Sequence, residues 1–148
     1  MRTTDQLTFK IAQNKEDWQD ALKVRKKVFI EEQNVPEEIE IDQYEEISTH
    51  FIVYNEQLQP VATARFRSYD ETTAKIERVA VLPELRGTGL GRELMLFLEK
   101  AAKEAGYTKA KLNAQLHAEP FYKKLGYSQI SELFYEANIP HVTMVKDL

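Results

Sequence analysis

Three glycines fall within five positions directly after a run of apolar residues. Gly87, Gly89 and Gly91 are three of the chain's five glycines, and they follow a strand-like segment at residues 74–82 that a proline ends. After them, apolar residues recur at helical spacing up to Gly106, a residue type that often closes helices. The spacing predicts a strand, a glycine-rich turn and a helix in succession, which places the chain among α/β folds.

A turn of this kind can bind an anion. The first backbone N–H groups of a helix have no acceptor within the helix, and together with the helix dipole they attract negative charge. Glycine lets a phosphate approach the backbone closely, and arginines beside it add charge-assisted hydrogen bonds. The alternative is a flexible connection with incidental glycines. The predicted phosphate-binding residues are Arg86, Gly87, Thr88, Gly89, Leu90, Gly91 and Arg92.

The turn does not match two common nucleotide-binding loops. It ends Gly91-Arg92-Glu93, whereas a P-loop ends in Gly-Lys followed by Ser or Thr. Its glycines follow a Gly-x-Gly-x-Gly spacing, whereas the dinucleotide fingerprint places the third glycine three residues after the second. The sequence therefore disfavours a nucleoside triphosphatase, a kinase and a nicotinamide-dependent enzyme.

The other segments show strand and helix patterns in turn. Asn14 is positioned to begin a helix that ends by the turn at residues 34–36, and a further short helix begins at Pro120 and ends at Gly126. A chain of 148 residues suits one domain, residues 1–148, with a mixed α/β sheet. The predicted strands are residues 7–12, 50–54, 60–67, 74–82, 109–113, 127–134 and 141–146.

Charge is unevenly distributed along the chain. Eight acidic residues and no lysine or arginine lie between residues 31 and 46, although the net charge of the whole chain is only −4. Two roles are open for this acidic stretch: a solvated loop, or a surface near a cationic substrate. The overall balance disfavours nucleic acid as a partner.

Several kinds of site and location are disfavoured. The chain has no cysteine, which excludes disulfides and a thiol nucleophile. His50, His117 and His141 lack the spacing of metal ligands, and we therefore expect no metal. The first ten residues lack the apolar region of a signal peptide, and no segment approaches the ~20 apolar residues of a membrane span. We expect a cytoplasmic protein with no membrane partner.

Two motifs resemble the GCN5-related N-acetyltransferase (GNAT) superfamily. The first is Val-Ala-Val-Leu-Pro-Glu-Leu-Arg-Gly-Thr-Gly-Leu-Gly at residues 79–91, and the second is Pro-Phe-Tyr-Lys-Lys-Leu-Gly-Tyr at residues 120–127. Residues 25–33, 112–115 and 139–141 are similar to the small bacterial ElaA/YjcF-type branch. The resemblance spans nearly the whole chain.

The resemblance implies a fold and an acyl donor. The implied fold is a single-domain, mixed but mainly antiparallel sheet, flanked by about four helices and splayed between its fourth and fifth strands. Acetyl-CoA is then expected in the cleft, with its pyrophosphate at the glycine turn. Its other expected contacts are Val79, Ala80 and Val81 on one strand and Asn113 on the next, with backbone groups holding the pantetheine like an added strand.

The expected chemistry needs an acid and a base. In the family, the tyrosine of the Phe-Tyr pair protonates the departing thiolate, which implies that role for Tyr122, with a packed helix aromatic as the alternative. Glu77 lies two residues before Val79, which predicts that the two share a face of the strand and makes Glu77 the first candidate for the base. The alternative for Glu77 is an ion pair with Arg65 or Arg78.

Four residues are candidates for the acceptor side. Glu31, Glu32 and Gln33 come from the branch resemblance, with ordinary surface residues as the alternative, and His141 could reach the site from the tail. The expected function is direct transfer from acetyl-CoA to a primary amine, a small cationic one, in a ternary complex. The rival is a CoA-binding sensor or interaction module without turnover. A homodimer is compatible with either.

Overall fold

One eight-stranded sheet organises residues 6–148, which the computed structural model describes. Its strands are β1 (Thr8–Ile11), β2 (Thr49–Tyr54), β3 (Pro60–Ser68), β4 (Thr73–Val81), β5 (Lys109–Gln115), β6 (Ser128–Gln129), β7 (Phe134–Glu136) and β8 (Ile139–Asp147). The spatial order is β1-β2-β3-β4-β5-β8-β6, with β7 also paired to β8. Neighbouring strands in this described sheet are antiparallel except β4 and β5, which are parallel. The mixed, mainly antiparallel sheet expected from the sequence is confirmed.

Four α-helices flank the sheet in the described residues: α1 (Lys15–Arg25), α2 (Glu37–Glu40), α3 (Leu90–Glu104) and α4 (Glu119–Lys124). Asn14 caps α1, because its side chain accepts a 2.8 Å hydrogen bond from the N–H of Asp17. The helix then continues as a π-helical segment, Lys26–Glu32, in which the N–H of Gln33 reaches the carbonyl of Val28. The helix end near residue 34 is confirmed, whereas the sequence pattern does not predict the π-helical geometry.

The segment predicted as a strand at residues 127–134 differs in the structure. A single strand at residues 127–134 is wrong, because the segment forms β6 and β7 with an irregular stretch between them. The side chain of Ser131 explains the interruption: its hydroxyl oxygen accepts the N–H of Thr143 at 2.9 Å, a bond that a backbone carbonyl would otherwise make. The segment therefore leaves the ladder of β8 and rejoins it at Phe134.

Helices cover both faces of the sheet. Phe51 and Val53 of β2 belong to the main core together with the fully buried Leu94 of α3. The alternate residue Ile52 packs instead with Ala21 of α1. Successive side chains of a strand point to opposite faces, so α3 and α1 lie on opposite sides of the sheet.

The sheet forks between β4 and β5. The two strands pair only from Thr73 with Lys109 to Ile76 with Leu112. Beyond that point β4 continues to Val81 and β5 continues to Gln115 without pairing to each other. The splay expected between the fourth and fifth strands is confirmed, and it opens a cleft in the sheet.

A β-bulge interrupts β4 at the start of the cleft. Thr63 of β3 pairs with Ala80 and Arg65 pairs with Glu77, which inserts one extra residue into β4. Arg78 at the bulge has a φ of 58°, in the left-handed region. Thr63 and Arg65 share a face of β3, so Glu77 shares a face with Ala80. The expectation that Glu77 alternates onto the face of Val79 is wrong, because it counted no inserted residue.

Candidate active site

The fork encloses a cleft of about 780 Å³. One wall is β4 from Lys75 to Val81, and the other is formed by β5 and β8 with Leu112, Asn113, Gln115 and His141. The π-helical segment, α2, α4 and the β7–β8 turn close the remaining sides. Most of the predicted site residues therefore meet in one place: Glu32, Gln33, Glu77, Val79, Ala80, Val81, Arg86, Asn113, Tyr122 and His141 all line this cleft.

The glycine turn lies at the Arg86 end of the cleft and has the backbone that an anion site needs. Gly87 and Gly89 have φ values of 81° and 91°, and a Cβ atom on either would meet nothing within 4 Å. The first helical bond of α3 runs from the N–H of Glu93 to the carbonyl of Gly89, and no side chain of the described residues caps this end. The preceding N–H groups of the turn are thus left for a ligand.

The other members of the turn have different surroundings. Leu90 is fully buried, so only its backbone could meet a phosphate. Gly91 lies beside Phe121, and a Cβ there would contact the ring at 3.4 Å, an ordinary van der Waals distance. The Thr88 hydroxyl donates to the carbonyl of Leu85 at 2.6 Å and closes the turn. Arg92 is exposed in the first turn of α3, where it can reach an anion.

Arg86 is engaged in a salt bridge across the cleft. Its guanidinium donates two 2.7 Å hydrogen bonds to the carboxylate of Glu32, and its Nε donates to the carbonyl of Val81 at 3.0 Å. The contact with Arg86 lowers the pKa of Glu32, and the same pairing raises the pKa of Arg86. The side chain therefore bridges the π-helical segment and β4, and three of its five N–H donors are engaged.

Tyr122 offers a protonated phenol to the cleft. Its ring is 8% exposed and packs edge-on against Phe121 and Tyr127 at centroid distances of 5.0 and 5.9 Å. Burial raises its pKa well above the ordinary value, and its hydroxyl makes no hydrogen bond to the described residues. Tyr122 is packed against other aromatic rings, as the alternative interpretation expects, and it also lines the cleft.

Glu77 lines the cleft as an ion-paired carboxylate. It accepts hydrogen bonds from Arg65 at 2.9 Å and Arg67 at 3.0 Å, and Lys75 lies 3.9 Å away. Burial alone would raise its pKa, but the charges of Arg65 and Arg67 outweigh burial and lower it. The expected pairing with Arg65 is present, whereas Arg78 pairs elsewhere. A carboxylate held ionised in this way is a weak proton acceptor.

The acidic stretch is neither a fully solvated loop nor simply a surface beside a substrate. Glu40 and Glu45 are buried, at 2% and 9% exposure, and both pair with Arg25, which is 1% exposed. Asp42 forms two hydrogen bonds, 2.7 and 3.0 Å long, with the fully buried Arg65. Arg78 joins this ion network through Glu40 and Asp42. Three of the eight acids are thus counterions for buried arginines, and they fix α2 and the following loop against the β4 bulge.

Two amide side chains complete the β5 wall. Gln115 donates to Gln33 at 2.8 Å and so joins β5 to the end of the π-helical segment. Asn113 accepts from the Thr143 hydroxyl at 2.9 Å and donates to Glu136 at 2.8 Å. The sequence analysis did not identify Gln115 and Glu136 as site residues. The alternation of Ala110, Leu112 and Ala114 could have extended the predicted strand to Gln115.

The remaining polar candidates differ in their positions. Among the described residues Glu31 is exposed and lies outside the cleft lining, so it does not join the other acceptor-side candidates. His50 is buried and its Nε2 donates to the carbonyl of Glu45 at 2.7 Å, which makes it structural. The described residues contain no cluster of acids and histidines suited to a metal ion.

Comparison with known proteins identifies the class of this site. The acetyltransferase (GNAT) domain family matches residues 12–148. The chain is 48% identical over 138 residues to an uncharacterized N-acetyltransferase, YjcF of Bacillus subtilis, covering 93% of this chain and 97% of that one. It is 33% identical to the protein ElaA of Escherichia coli, covering 86% and 85% of the two chains. The chain belongs to the GNAT acetyltransferase family.

Solved structures agree with this membership. An acyl-CoA N-acyltransferase from Pseudomonas aeruginosa has a TM-score of 0.83 and 28% identity, covering 95% of this chain and 97% of that one. The ElaA structure has a TM-score of 0.84 and 25% identity, covering 95% and 99%. The forked sheet is thus the family fold, and the protein is an N-acetyltransferase that takes an acyl-CoA donor and an amine acceptor. No helix in residues 6–148 is long and apolar enough to cross a membrane.

Proposed function

We propose that the protein transfers an acetyl group directly from acetyl-CoA to a primary amine while both are bound. The fork between β4 and β5 carries this proposal, because it brings three requirements into one cleft. These are an open strand edge for the donor, an anion-binding turn at one end and a buried phenol in the wall. A cleft of about 780 Å³ is large enough to hold parts of both substrates.

The backbone explains how the donor would be held. Beyond Ile76, the edge of β4 that faces β5 has no strand partner in the described sheet. The backbone groups of Val79 and the N–H of Val81 can therefore pair with the amides of an extended pantetheine, as an added strand would, while the Val81 carbonyl already accepts from Arg86. The pyrophosphate then reaches the free N–H groups at the start of α3, next to Arg92.

The cleft supports direct transfer over a covalent enzyme intermediate. None of the described residues that line it is a serine, threonine or cysteine, the usual acyl-accepting nucleophiles. In direct transfer the amine nitrogen attacks the thioester carbon and the C–S bond breaks, leaving the electron pair on sulfur. Tyr122 protonates that sulfur. Burial keeps the phenol protonated before the reaction, and the same burial makes the neighbouring thiolate more basic, which favours the proton transfer.

A cationic amine is favoured as the acceptor. Three of the four carboxylates in the cleft, Glu32, Glu40 and Glu77, already pair with arginines, but Glu136 has only the amide of Asn113. Exposed Glu37 and Glu38 on α2 add negative charge near the mouth. We propose that this excess attracts a positively charged amine. Glu77 as the base remains a prediction, and its ion pairs argue for a role in holding β4.

A panel of amines tests the function and separates it from the rival. Polyamines, amino acids, aminoglycosides and lysine peptides are each incubated with acetyl-CoA, and thiol release is followed alongside CoA binding by calorimetry. Release that depends on a cationic amine supports the proposal. CoA binding without release in any reaction would favour a sensor or interaction module, and a best acceptor that is anionic would overturn the charge argument.

A further inference from the structure

His141 lies in the cleft at the level expected for the thioester. It pairs across β8 and β5 with Gln115, three residues beyond Leu112, where β4 and β5 last pair. On the opposite wall the bulge inserts one residue after Ile76, so the residue at the same level is Ala80, which pairs with Thr63 three residues along β3 from Phe66. At ~3.3 Å per residue, both positions stand about 10 Å into the fork. His141 therefore lies at this level of the cleft, on the wall opposite the strand expected to hold the donor.

The imidazole is fixed in one tautomer by its own strand. Nδ1 lies 2.7 Å from the carbonyl oxygen of Ile139, which can only accept a hydrogen bond, so Nδ1 carries the proton of the neutral ring. The ring is 8% exposed and stacks on Phe134 with a centroid distance of 6.0 Å and an interplanar angle of 24°. Nε2 is left with a lone pair and bonds no described residue.

The groups around His141 leave it free of ion pairs. Of the elements packed against this part of β8, β5 presents the uncharged Asn113 and Gln115, β7 presents Glu136, and the turn before α4 presents His117. Across the cleft, the charged side chains of β4 are Lys75, Glu77 and Arg78. None of them forms a hydrogen bond or ion pair with His141 within the described residues. The imidazole differs in this from Glu77, whose carboxylate is held by Arg65 and Arg67.

We propose that Nε2 of His141 is the general base of the reaction, a proposal that rests on the transfer function above. The amine enters as the neutral R–NH₂. As its nitrogen bonds to the thioester carbon, it gains a positive charge and gives one proton to Nε2. The C–S electron pair leaves on sulfur, which takes the proton of Tyr122. The imidazolium and the phenolate then return to their resting forms by proton exchange through water, and the products are the acetamide and CoA thiol.

Two substitutions test the proposal. His141→Asn keeps a side-chain donor for the Ile139 carbonyl but has no proton acceptor of comparable basicity, so kcat/KM at neutral pH should fall by ~10²-fold while CoA affinity holds. The acidic limb of the pH–rate profile that belongs to the imidazole should disappear, leaving only the limb of the acceptor amine. His141→Ala should recover activity when imidazole is added, because the cleft is open to solvent.

A matched variant on the opposite wall serves as the control. Glu77→Gln should keep the imidazole limb if His141 is the base, whereas an acidic limb lost only in Glu77→Gln would assign that role to Glu77. Parent-like kcat/KM in His141→Asn, or an inactive His141→Ala that imidazole does not rescue, would overturn the assignment. If His141→Asn does not fold, ¹⁵N NMR of the parent ring decides, because a proton on Nε2 would contradict the proposal. A parent that binds CoA but acetylates no amine refutes the transfer function itself.

Discussion

Removing the charge of Glu32 should strengthen CoA binding. Arg86 is predicted to contact the pyrophosphate, yet in the structure it is bound to Glu32 by two 2.7 Å hydrogen bonds. The Glu32 carboxylate occupies two N–H donors of this guanidinium and neutralises its charge, so we expect it to compete with the diphosphate. Glu32→Gln weakens that competitor and keeps the size of the side chain, so the arginine becomes easier to recruit.

The size of the effect follows from the exposure of the pair. The side chains are 43% and 39% exposed for Arg86 and Glu32, and exposed ion pairs contribute about 0.5–1 kcal/mol. In Glu32→Gln, CoA binding no longer works against the free energy of this ion pair, so the Kd for CoA should fall by about two- to fivefold. The gain should shrink at high salt, which screens the pair in the parent protein.

Calorimetric titration of CoA at low and high ionic strength measures this effect. Glu31→Gln is the matched control, because it removes the same charge one residue away from an exposed position outside the cleft lining. Weaker CoA binding in Glu32→Gln, with no change in Glu31→Gln, would refute the reasoning. It would show that Glu32 holds Arg86 in the orientation that the diphosphate needs.

Four other substitutions test the turn, the acid and the ion network. Gly89→Glu should abolish CoA binding in calorimetry, whereas Gly106→Glu, at a φ of 102° and equally open, should cost similar stability and leave binding intact. Tyr122→Phe should keep CoA affinity while kcat falls by ~10²-fold in steady-state assays, and near-parent kcat would remove the phenol from the chemistry. Glu77→Gln should lower Tm because it removes one of the three carboxylates paired with the buried Arg65; a rate loss greatest at low pH would instead support its role as base. Arg65 and neighbouring groups lower the pKa of Asp42 from 3.8 to about 2, so its contribution, on the order of 2 kcal/mol, is present above about pH 4 and lost as pH falls toward 2. Urea unfolding should show this acid loss in the parent and not in Asp42→Asn.

The sequence predicted the parts of the site that depend on local patterns. The glycine turn follows from Gly87 and Gly89, whose positive φ values few other residues tolerate, and from the strand and helix around them. Order and type of the main elements followed from apolar periodicity. The resemblance to the family supplied the fork, which no local pattern in β4 or β5 indicates.

The features that the sequence did not predict depend on contacts between distant segments. The bulge at Arg78 has no sequence signal, since an arginine in the left-handed region is held there by its hydrogen bonds to Glu40 and Asp42. Arg25 fits the helical spacing of an apolar face, but its guanidinium is buried with Glu40 and Glu45. An acid that will become a counterion looks the same in the sequence as one that stays in water.

The four-residue junction of β4 and β5 also links the stability of the protein to its substrate. In the described sheet the strand pairing between the two antiparallel halves is limited to Thr73–Ile76 and Lys109–Leu112, with further backbone hydrogen bonds at Thr72. If the donor binds in the fork as proposed, it fills the rest of that gap and stabilises the folded chain alone. A free donor concentration of 100 times its Kd would then add about 2.7 kcal/mol to the free energy of unfolding. The protein would therefore resist proteolysis best when the acyl-CoA pool is full, and depletion of that pool would shorten its lifetime as well as halt its turnover.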